Sequence, residues 1–422
     1  MKRGIFLIII LLFGINVCAQ NWNSLGSGLS FYGNILYNDT LTNKLFIGGA
    51  FAKVNGHYAN GIAAWDGNNW DTLDGGIGCC NAGTQPIHSI MRFQDSIYVG
   101  GLFNYLYRNP DGEQAHGFTR WNGTSWDSLN SAFHSLGHPW NFCIFNNLLY
   151  CIGDFENVDN IFSPGVVAWN GTTWIPNGIP HYSTLQSGAP NVCCVFQNEL
   201  YIAGNFADST GNLIGCAKFD GANWTEVGMG GGGLVKSMVV YNNELYIGGQ
   251  YIGLNSKNLV KYDGVNFIDI DLYAGDVMNI RVLDDKLFVV GYIDSVSSIV
   301  IHDNIAVWDG NNWSDFSNDT FNNGVGDIVV FNNDLYVTGA FTMINSDTIN
   351  YVAKYSGWFV GENNLESKFP ICVYPNPVSS ILTIHNQSAL SNYELAIKNV
   401  LGQEVYSQQI NNSKNPTIDV SH

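Results

Sequence analysis

A seven-fold internal repeat dominates this sequence. In each copy, an apolar run that ends in glycine is followed by a second signature, in which Asp or Asn and then Gly stand between aromatic residues. The final glycines of successive runs are 52, 52, 51, 45, 42 and 48 residues apart, a period typical of propeller blades and not of helical or leucine-rich solenoids. The runs are LFIGG (45–49), IYVGG (97–101), LYCIG (149–153), LYIAG (200–204), LYIGG (245–249), LFVVG (287–291) and LYVTG (335–339).

Each copy has the residue types of a four-stranded antiparallel sheet. In the fifth copy, VKSMVVY (235–241) and ELYIGG precede NLVKY (258–262) and VNFIDI (265–270), and Asn-Asn separates the first two runs. Val, Ile, Tyr and Phe suit a pleated, half-buried surface, while Asn, Asp and Gly suit turns with positive φ. No segment shows a long helical period, so we predict an all-β fold.

The number of fourth strands predicts how the ring closes. Six copies have a complete second signature, but the seventh, YSGW (355–358), lacks the usual fourth strand. Near the N-terminus, NWNSLG (21–26) resembles the fourth-strand sequence NWDTLDGG. We therefore predict a seven-bladed β-propeller over residues 20–360, closed by the strand around Trp22, which should lie in the same sheet as the strands ending at Gly339 and Tyr355.

The first 19 residues have the features of a secretory signal peptide. Lys2 and Arg3 precede an apolar run over residues 5–13, and Val-Cys-Ala at 17–19 is a small-x-small cleavage pattern. The sequence before Cys18 is a poor match to a lipoprotein signal, and no later segment is long enough to span a membrane. We therefore expect a secreted protein with no transmembrane segment in the mature chain.

The C-terminal residues resemble a known export signal. A polar linker (361–370) leads into residues 371–422, where Tyr374-Pro375-Asn376-Pro377 and, later, NVLGQEV around Gly402 are similar to the type A C-terminal sorting domain of the type IX secretion system of Bacteroidota. This resemblance implies a small β-sandwich, passage through the periplasm, and a partner in the secretion machinery at the outer membrane. Because the chain stops at His422, before the family's last strand, we expect a truncated sorting domain. The propeller repeats resemble kelch-like and galactose-oxidase-like ones.

The charge balance argues against polyanionic partners. The formal net charge is −18, and loss of Lys2 and Arg3 with the signal peptide would make it −20. Nucleic acid and anionic membrane surfaces need clustered Lys and Arg, so neither is expected as a partner. Only 12% of the residues are charged, which fits a secreted protein with many Asn-, Ser- and Gly-rich turns.

Eight cysteines follow the signal peptide, and their role stays open at this level. Cys143 and Cys194 occupy equivalent places in the innermost strands of blades 3 and 4, so they could be near one another around the channel. Export would permit a disulfide, but small buried apolar residues are the alternative. The adjacent pair Cys79-Cys80 could form a vicinal bridge, and no CxxC spacing of a metal site exists.

One tryptophan is not explained by the repeat. Trp140 follows His134 and His138, an HxxxH pair that would share a face on a helix, but Gly137 and Pro139 predict a loop. A metal site is therefore a weaker hypothesis than an aromatic platform for a sugar or peptide, and a plain packing role is the alternative to both. No metal or cofactor is predicted.

No catalytic motif is recognisable, so we predict a recognition or surface-interaction propeller that is not an enzyme, with a glycan or protein as its ligand. The alternative is a secreted carbohydrate-active hydrolase or lyase whose site is assembled from several blades. Within each blade, the first-to-second and third-to-fourth turns are tight, while the remaining connections are long and dissimilar, so the ligand should meet the face that carries the variable loops. The candidate ligand-binding residues on that face are Tyr105, Tyr107, Arg108, His134, His138, Trp140, His181 and Tyr182.

Overall fold

The structure is a computed structural model with two compact units, one up to residue 360 and one from residue 361. It describes residues 22–77, 86–104, 106, 115–129, 133, 137–179, 188–207, 212, 214–229, 233–252, 257–270, 272–273, 275–356, 371–374, 381–386, 392–398, 404–411 and 417–419.

The first unit is a seven-bladed β-propeller, as the repeat predicts. Each blade is a four-stranded antiparallel sheet, and neighbouring strands follow one another along the chain in six of the seven. From the innermost strand outward, the first four blades contain Gly33–Asp39, Lys44–Gly49, Ile62–Trp65 and Trp70–Asp71; Ile87–Phe93, Ser96–Gly101, Phe118–Trp121 and Trp126–Asp127; His138–Phe145, Leu148–Asp154, Val166–Trp169 and Trp174–Pro176; and Pro190–Phe196, Glu199–Gly204, Cys216–Phe219 and Trp224–Glu226.

The remaining three blades have the same order of strands. They contain Leu234–Tyr241, Glu244–Ile252, Lys257–Tyr262 and Phe267–Asp269; Val277–Leu283, Lys286–Gly291, Ile305–Trp308 and Trp313–Asp315; and Val325–Phe331, Asp334–Gly339, Val352–Tyr355 and the N-terminal strand Trp22–Ser24.

The N-terminal strand closes the ring. Trp22 pairs with Tyr355 and Ser24 with Ala353 in antiparallel register, which places Trp22–Ser24 in one sheet with Asp334–Gly339 and Val352–Tyr355. The predicted closure is therefore confirmed. It leaves no exposed sheet edge between the first and the last blade, because both ends of the propeller contribute to blade 7.

The turns explain why Asn, Asp and Gly recur in the sequence. In the first-to-second turn of blade 5, Asn242 and Asn243 have φ of 49° and 59°, as a two-residue hairpin turn requires. In the third-to-fourth turn of blade 1, Asp66 Oδ1 accepts hydrogen bonds from the backbone N–H of Asn68 and Asn69 at 2.7 and 2.6 Å, and Gly67 has φ of 104°. The same side-chain cap recurs at Asn122, Asn170, Asp220, Asp263 and Asp309.

Aromatic side chains pack within and between the blades. Every blade has a cross-strand aromatic pair on its third and fourth strands, with ring centroids 4.6 to 5.2 Å apart. Several fourth-strand indoles also bond to the preceding blade: Trp126 Nε1 donates to Leu73 O at 2.7 Å, and Trp224 Nε1 to Asn177 O at 3.1 Å. The signature aromatic residues therefore have the packing role that the repeat predicts.

Short β-elements cover one face of the ring. They lie in second-to-third loops and in the connectors between blades, and they pair with one another, as in the bridge between Phe133 and Val158. Their bounds are Lys53–Val54, His57–Tyr58, Asn157–Val158, Ile161–Phe162, Leu272–Tyr273, Ser295–Val296, Ile299–Val300, Met343–Ile344, Asp347–Thr348 and the 3₁₀ turn Leu73–Gly75.

The described residues of the second unit form five strands. Ile371–Tyr374, Ile381–Asn386 and Thr417–Asp419 form one sheet, and Asn392–Lys398 pairs with Glu404–Asn411. In the part of the chain that the structure describes, no helix has the length and apolar character needed to cross a bilayer.

Candidate functional site

The two faces of the propeller differ in how they are built. On the face that carries the tight turns, which we call the turn face, five of the third-to-fourth turns abut the first-to-second turn of the preceding blade. Gln94 Nε2 donates to Asn170 O at 3.1 Å, and a Cβ on Gly221 would come within 3.1 Å of the Asn146 amide. Because these contacts occupy the backbone and amide groups of the turns, the turn face is closed and regular.

The opposite face carries the blade connectors and the second-to-third loops, and we call it the connector face. Of the eight predicted ligand-binding residues, His138 and Trp140 lie in the described part of the chain, at the start of the innermost strand of blade 3, His138–Phe145. The other six, Tyr105, Tyr107, Arg108, His134, His181 and Tyr182, lie outside the described residues. The loop predicted around Pro139 is in fact strand, with a β-bulge between Pro139 and Asn141.

This bulge is one of seven. Every innermost strand has a bulge at the same place near the connector face, so each blade has one extra residue there. The innermost strands surround the central channel, and the extra residues therefore form a ring near its mouth on this face. In blade order they are Asn34, His88, Trp140, Asn191, Lys236, Met278 and Gly326.

Trp140 is the largest side chain of this ring and lies between two imidazoles. Its ring centroid is 4.3 Å from that of His88 and 4.7 Å from that of His138, and the two imidazoles are 6.1 Å apart. His138 is buried, but Trp140 is only partly buried, so part of the indole remains accessible. The three rings join blades 2 and 3 into one aromatic surface beside the channel mouth.

His88 is held in its neutral form. Burial, with a smaller effect from His138, lowers the pKa of His88 to about 3, so the imidazole carries no charge at neutral pH. Its Nε2 atom is buried and has no hydrogen-bond partner among the described residues. His88 therefore contributes an uncharged ring to the aromatic surface around Trp140, and such surfaces stack on sugar rings or apolar side chains.

Charge lies elsewhere on the ring, in blades 5 and 6. Lys236 Nζ is 3.2 Å from Asp276 Oδ2 and 3.1 Å from Met278 Sδ, so the lysine is paired with an acid of the next blade. The mouth thus has an aromatic side in blades 2 and 3 and a paired ionic side in blades 5 and 6.

Further exposed aromatic residues lie on the connector face. Tyr292 is 43% exposed, and a Cβ on Gly324 would come within 2.7 Å of its ring, so the tyrosine lies flat over that glycine. Phe31 and Tyr32 have ring centroids 4.6 Å apart, and Phe31 also contacts Tyr351. Sequence reasoning missed these residues and His88. Alignment of the seven innermost strands could have found His88, because it occupies the same position as Trp140.

A belt of polar side chains rigidifies the ring below the mouth. Asp327 is fully buried and accepts hydrogen bonds from Leu36 N at 2.8 Å, Asn279 Nδ2 at 2.8 Å and Arg281 Nη2 at 2.7 Å, so it connects blades 6, 7 and 1. The equivalent Asn141 accepts a bond from Cys193 N at 3.4 Å. Since these side chains bond to the backbone edge of the next innermost strand, they fix the spacing of the blades.

A separate polar cleft of about 600 Å³ lies at the outer part of blade 1. Its polar groups serve the fold: Trp70 Nε1 donates to Leu25 O at 3.1 Å, and Asp71 pairs with Lys44 at 2.8 Å. The cleft is lined by Gly26, Val54, Asn55, His57, Trp65, Asn68, Asn69, Trp70, Asp71 and Thr72.

No group of three or more His, Cys, Asp or Glu side chains is placed to hold a metal ion among the residues that the structure describes. In the second unit, Tyr374 ends the strand Ile371–Tyr374. The other predicted sorting residues, Pro375, Asn376, Pro377 and Gly402, lie outside the described residues.

Comparison with known proteins identifies the C-terminal segment. Residues 372–422 match a family model described as a secretion system C-terminal sorting domain. No curated protein shows significant similarity to the chain. Similar solved structures include YCF48 bound to D1 peptide (10% identity, TM-score 0.45, covering 82% of this chain and 96% of that chain) and the WD40 β-propeller domain of Doa1 (9% identity, TM-score 0.40, covering 80% and 98%). The sorting-domain match supports export of this protein to the cell surface or the medium.

Proposed function

We propose that this protein is an exported, non-catalytic recognition propeller that binds a glycan or a protein segment on its connector face, at the channel mouth. One observation carries the proposal: Trp140 is partly exposed and lies between the neutral imidazole of His88 and the buried ring of His138. A rigid aromatic surface on a closed ring loses little conformational entropy when a ligand stacks on it.

The contrast between the faces supports this location. The turn face consists of repeated caps whose amides and carboxylates are already bonded, as at Asp66 and Asp220. The connector face instead has aromatic residues at single positions that do not recur from blade to blade, including Trp140 and Tyr292. Variable residues on a constant scaffold are where recognition usually resides.

The test is a screen of the purified chain on glycan and peptide arrays, followed by titration of the best ligand. We expect Trp140→Ala to weaken binding at least tenfold, in line with the loss of a central aromatic contact, and Trp140→Phe to weaken it less. Asp66→Asn, on the turn face, is the matched control and should bind as the wild type does. Unchanged affinity in Trp140→Ala would place the site elsewhere. Release of product from a polysaccharide would instead favour a hydrolase or lyase.

The second part of the proposal is the route of export. The sorting-domain match over residues 372–422 suggests handling by the type IX secretion machinery of a Bacteroidota cell, and the kelch-like character of the repeat belongs to the same proposal. In such a host, deletion of residues 371–422 should leave the propeller in the periplasm, while a variant that retains them should reach the surface or medium. Equal export of both would contradict the proposed route.

A further inference from the structure

Two cysteines face one another between blades 3 and 4. Cys143 lies on the innermost strand of blade 3 and Cys193 on that of blade 4, and both belong to the buried cluster that fills the gap between these blades. The Sγ of Cys193 is 3.2 Å from Oδ1 of Asn141, two residues before Cys143, and the Cys143 thiol lies close enough to raise the pKa of the Cys193 thiol. Both residues are free thiols in the structure.

This pair differs from the Cys143 and Cys194 pair that the sequence left open. Cys194 aligns with Cys143 in the repeat, but equivalent side chains point the same way around the ring. Cys194 therefore packs against the next cluster, between blades 4 and 5, and its neighbour Cys193 points back toward Cys143. Alternation along a strand explains this, because successive side chains lie on opposite faces of the sheet.

The same position in the other gaps is occupied by a different kind of pair. Each of the seven gaps between blades has such a pair, which consists of the residue at the Cys143 position and the residue at the Cys193 position of the next blade. Among these seven pairs, only the one between blades 3 and 4 has cysteine on both sides. The other six pairs are Tyr37 and Ile90, Met91 and Phe142, Cys194 and Met238, Val239 and Ile280, Arg281 and Ile328, and Val329 and Leu36.

We propose that Cys143 and Cys193 form a disulfide that joins blades 3 and 4 when the exported chain folds. The oxidant is a protein or small-molecule disulfide of the oxidising compartment outside the cytoplasm. One cysteine attacks this disulfide as a thiolate and forms a mixed disulfide, and the other cysteine then displaces the second oxidant thiol. The two cysteines lose two protons and two electrons in all, and the oxidant is reduced to two thiols.

The burial of Cys143 and Cys193 indicates when their disulfide forms. Both side chains are almost fully covered in the closed ring, and burial raises the pKa of the Cys193 thiol well above its ordinary value. A buried thiol that rarely ionises reacts slowly, so the bond forms before the ring closes. A chain folded in reduced form should accordingly resist oxidation until it is unfolded.

The experiment compares the full chain exported to an oxidising periplasm with its serine variants. The protein is denatured in N-ethylmaleimide, digested with and without prior reduction, and analysed by mass spectrometry. We expect a cross-linked peptide pair containing Cys143 and Cys193 that disappears on reduction. Cys143→Ser and Cys193→Ser should abolish it, and the matched control Cys194→Ser should retain it.

Three outcomes would overturn the proposal: alkylation of Cys143 in unreduced wild-type protein, a cross-link that survives Cys193→Ser, or one that is lost in Cys194→Ser. The first requires only the wild-type chain, so the proposal remains testable even if a serine variant does not fold. A second measurement treats the folded, reduced chain with oxidised glutathione. We expect the bond to form at least tenfold more slowly in the folded chain than in the unfolded chain. Rapid oxidation of the folded ring would contradict the proposed timing.

Discussion

Trp22 stands directly opposite Tyr355 in antiparallel register, with their ring centroids 4.9 Å apart. The two residues come from opposite ends of the propeller, yet their pair is equivalent to the Trp65 and Trp70 pair that lies within blade 1. The ring is therefore closed by the same aromatic contact that holds each fourth strand to its blade. Trp22 also packs edge-on against Phe321, at 5.2 Å.

Truncation of Trp22 should open this closure. The side chain is 2% exposed, and Trp22→Ala removes its contacts with Tyr355 and Phe321 and leaves a large cavity. We expect a loss of about 3–5 kcal/mol in the free energy of unfolding, measured by denaturant titration followed by circular dichroism. Asn23→Ala, at the exposed position next to it, is the control and should change stability by less than about 0.5 kcal/mol. Equal effects of the two substitutions would show that the strand does not hold the ring together.

The sequence predicts this closure because a repeat can be counted. The seventh copy of the repeat lacks a fourth strand, and an extra copy of that strand lies near Trp22, so the N-terminal strand can complete the last blade of a ring. The structure has this arrangement. The caps at Asp66 and Gly67 are predictable for the same reason, since each recurs in six blades and reflects local turn chemistry. Features that repeat can therefore be assigned without knowing which side chains face one another.

Features that occur once could not be assigned in this way. His88 is a single histidine in one of seven equivalent strands, and its partnership with Trp140 depends on the packing of two blades. Likewise, the repeat aligns Cys143 with Cys194, but the geometry between blades brings Cys193 to it. Contacts between repeats depend on the direction of each side chain, which the alignment of repeats does not contain.

Asp327 should be the most costly carboxylate to remove. It is fully buried, accepts bonds from the backbone of Leu36 and Ile328, and pairs with Arg281 at 2.7 Å. Asp327→Ala should destabilise the ring by about 3 kcal/mol, because it leaves the Arg281 guanidinium without its carboxylate partner and two backbone donors without an acceptor. The control is Asp334→Ala, whose partner Lys354 lies 3.1 Å away at a more exposed site, and it should cost less than about 1 kcal/mol. Thermal and denaturant unfolding would measure both, and equal losses would argue against the structural importance of the buried pair.

The glycine in the third-to-fourth turn of blade 2 should be required only because of the backbone conformation that it adopts. Gly123 has φ of 104°, and a Cβ built there would meet nothing within 4 Å, so steric contact with other residues is not involved. Gly123→Ala should nevertheless cost about 1–2 kcal/mol, because a side chain disfavours this conformation. Asn122→Asp keeps the oxygen that accepts from Thr124 N and Ser125 N, and it should leave the melting temperature within a few degrees of the wild type. A neutral Gly123→Ala would show that the turn can change its conformation freely.

A pair of neighbouring carboxyl groups in blade 6, of which Asp303 is buried, gives the fold a pH dependence of its own. Asp303 is fully buried and accepts bonds from Ser317 N at 2.7 Å and Ile305 N at 3.1 Å. Burial, together with the charge of Asp315, raises the pKa of Asp303 from 3.8 to about 8. Asp315 in turn lies 2.5 Å from Nδ1 of His302. The native ring therefore retains a proton on Asp303 at neutral pH that the unfolded chain has already released.

Asp303→Asn should remove this dependence. A carboxyl whose pKa is raised in the folded state contributes stability that is complete below about pH 4 and is lost as the pH rises through about 8. Between these values the unfolding free energy of the wild type should therefore fall relative to that of the variant, by at most about 1.4 kcal/mol per pH unit for one proton. Asp309→Asn, at an exposed turn of the same blade, is the matched control and should keep the wild-type slope across this range. Denaturant titrations at intervals from pH 5 to 9 would measure the difference, and parallel curves for the wild type and Asp303→Asn would show that Asp303 is ionised in the native ring.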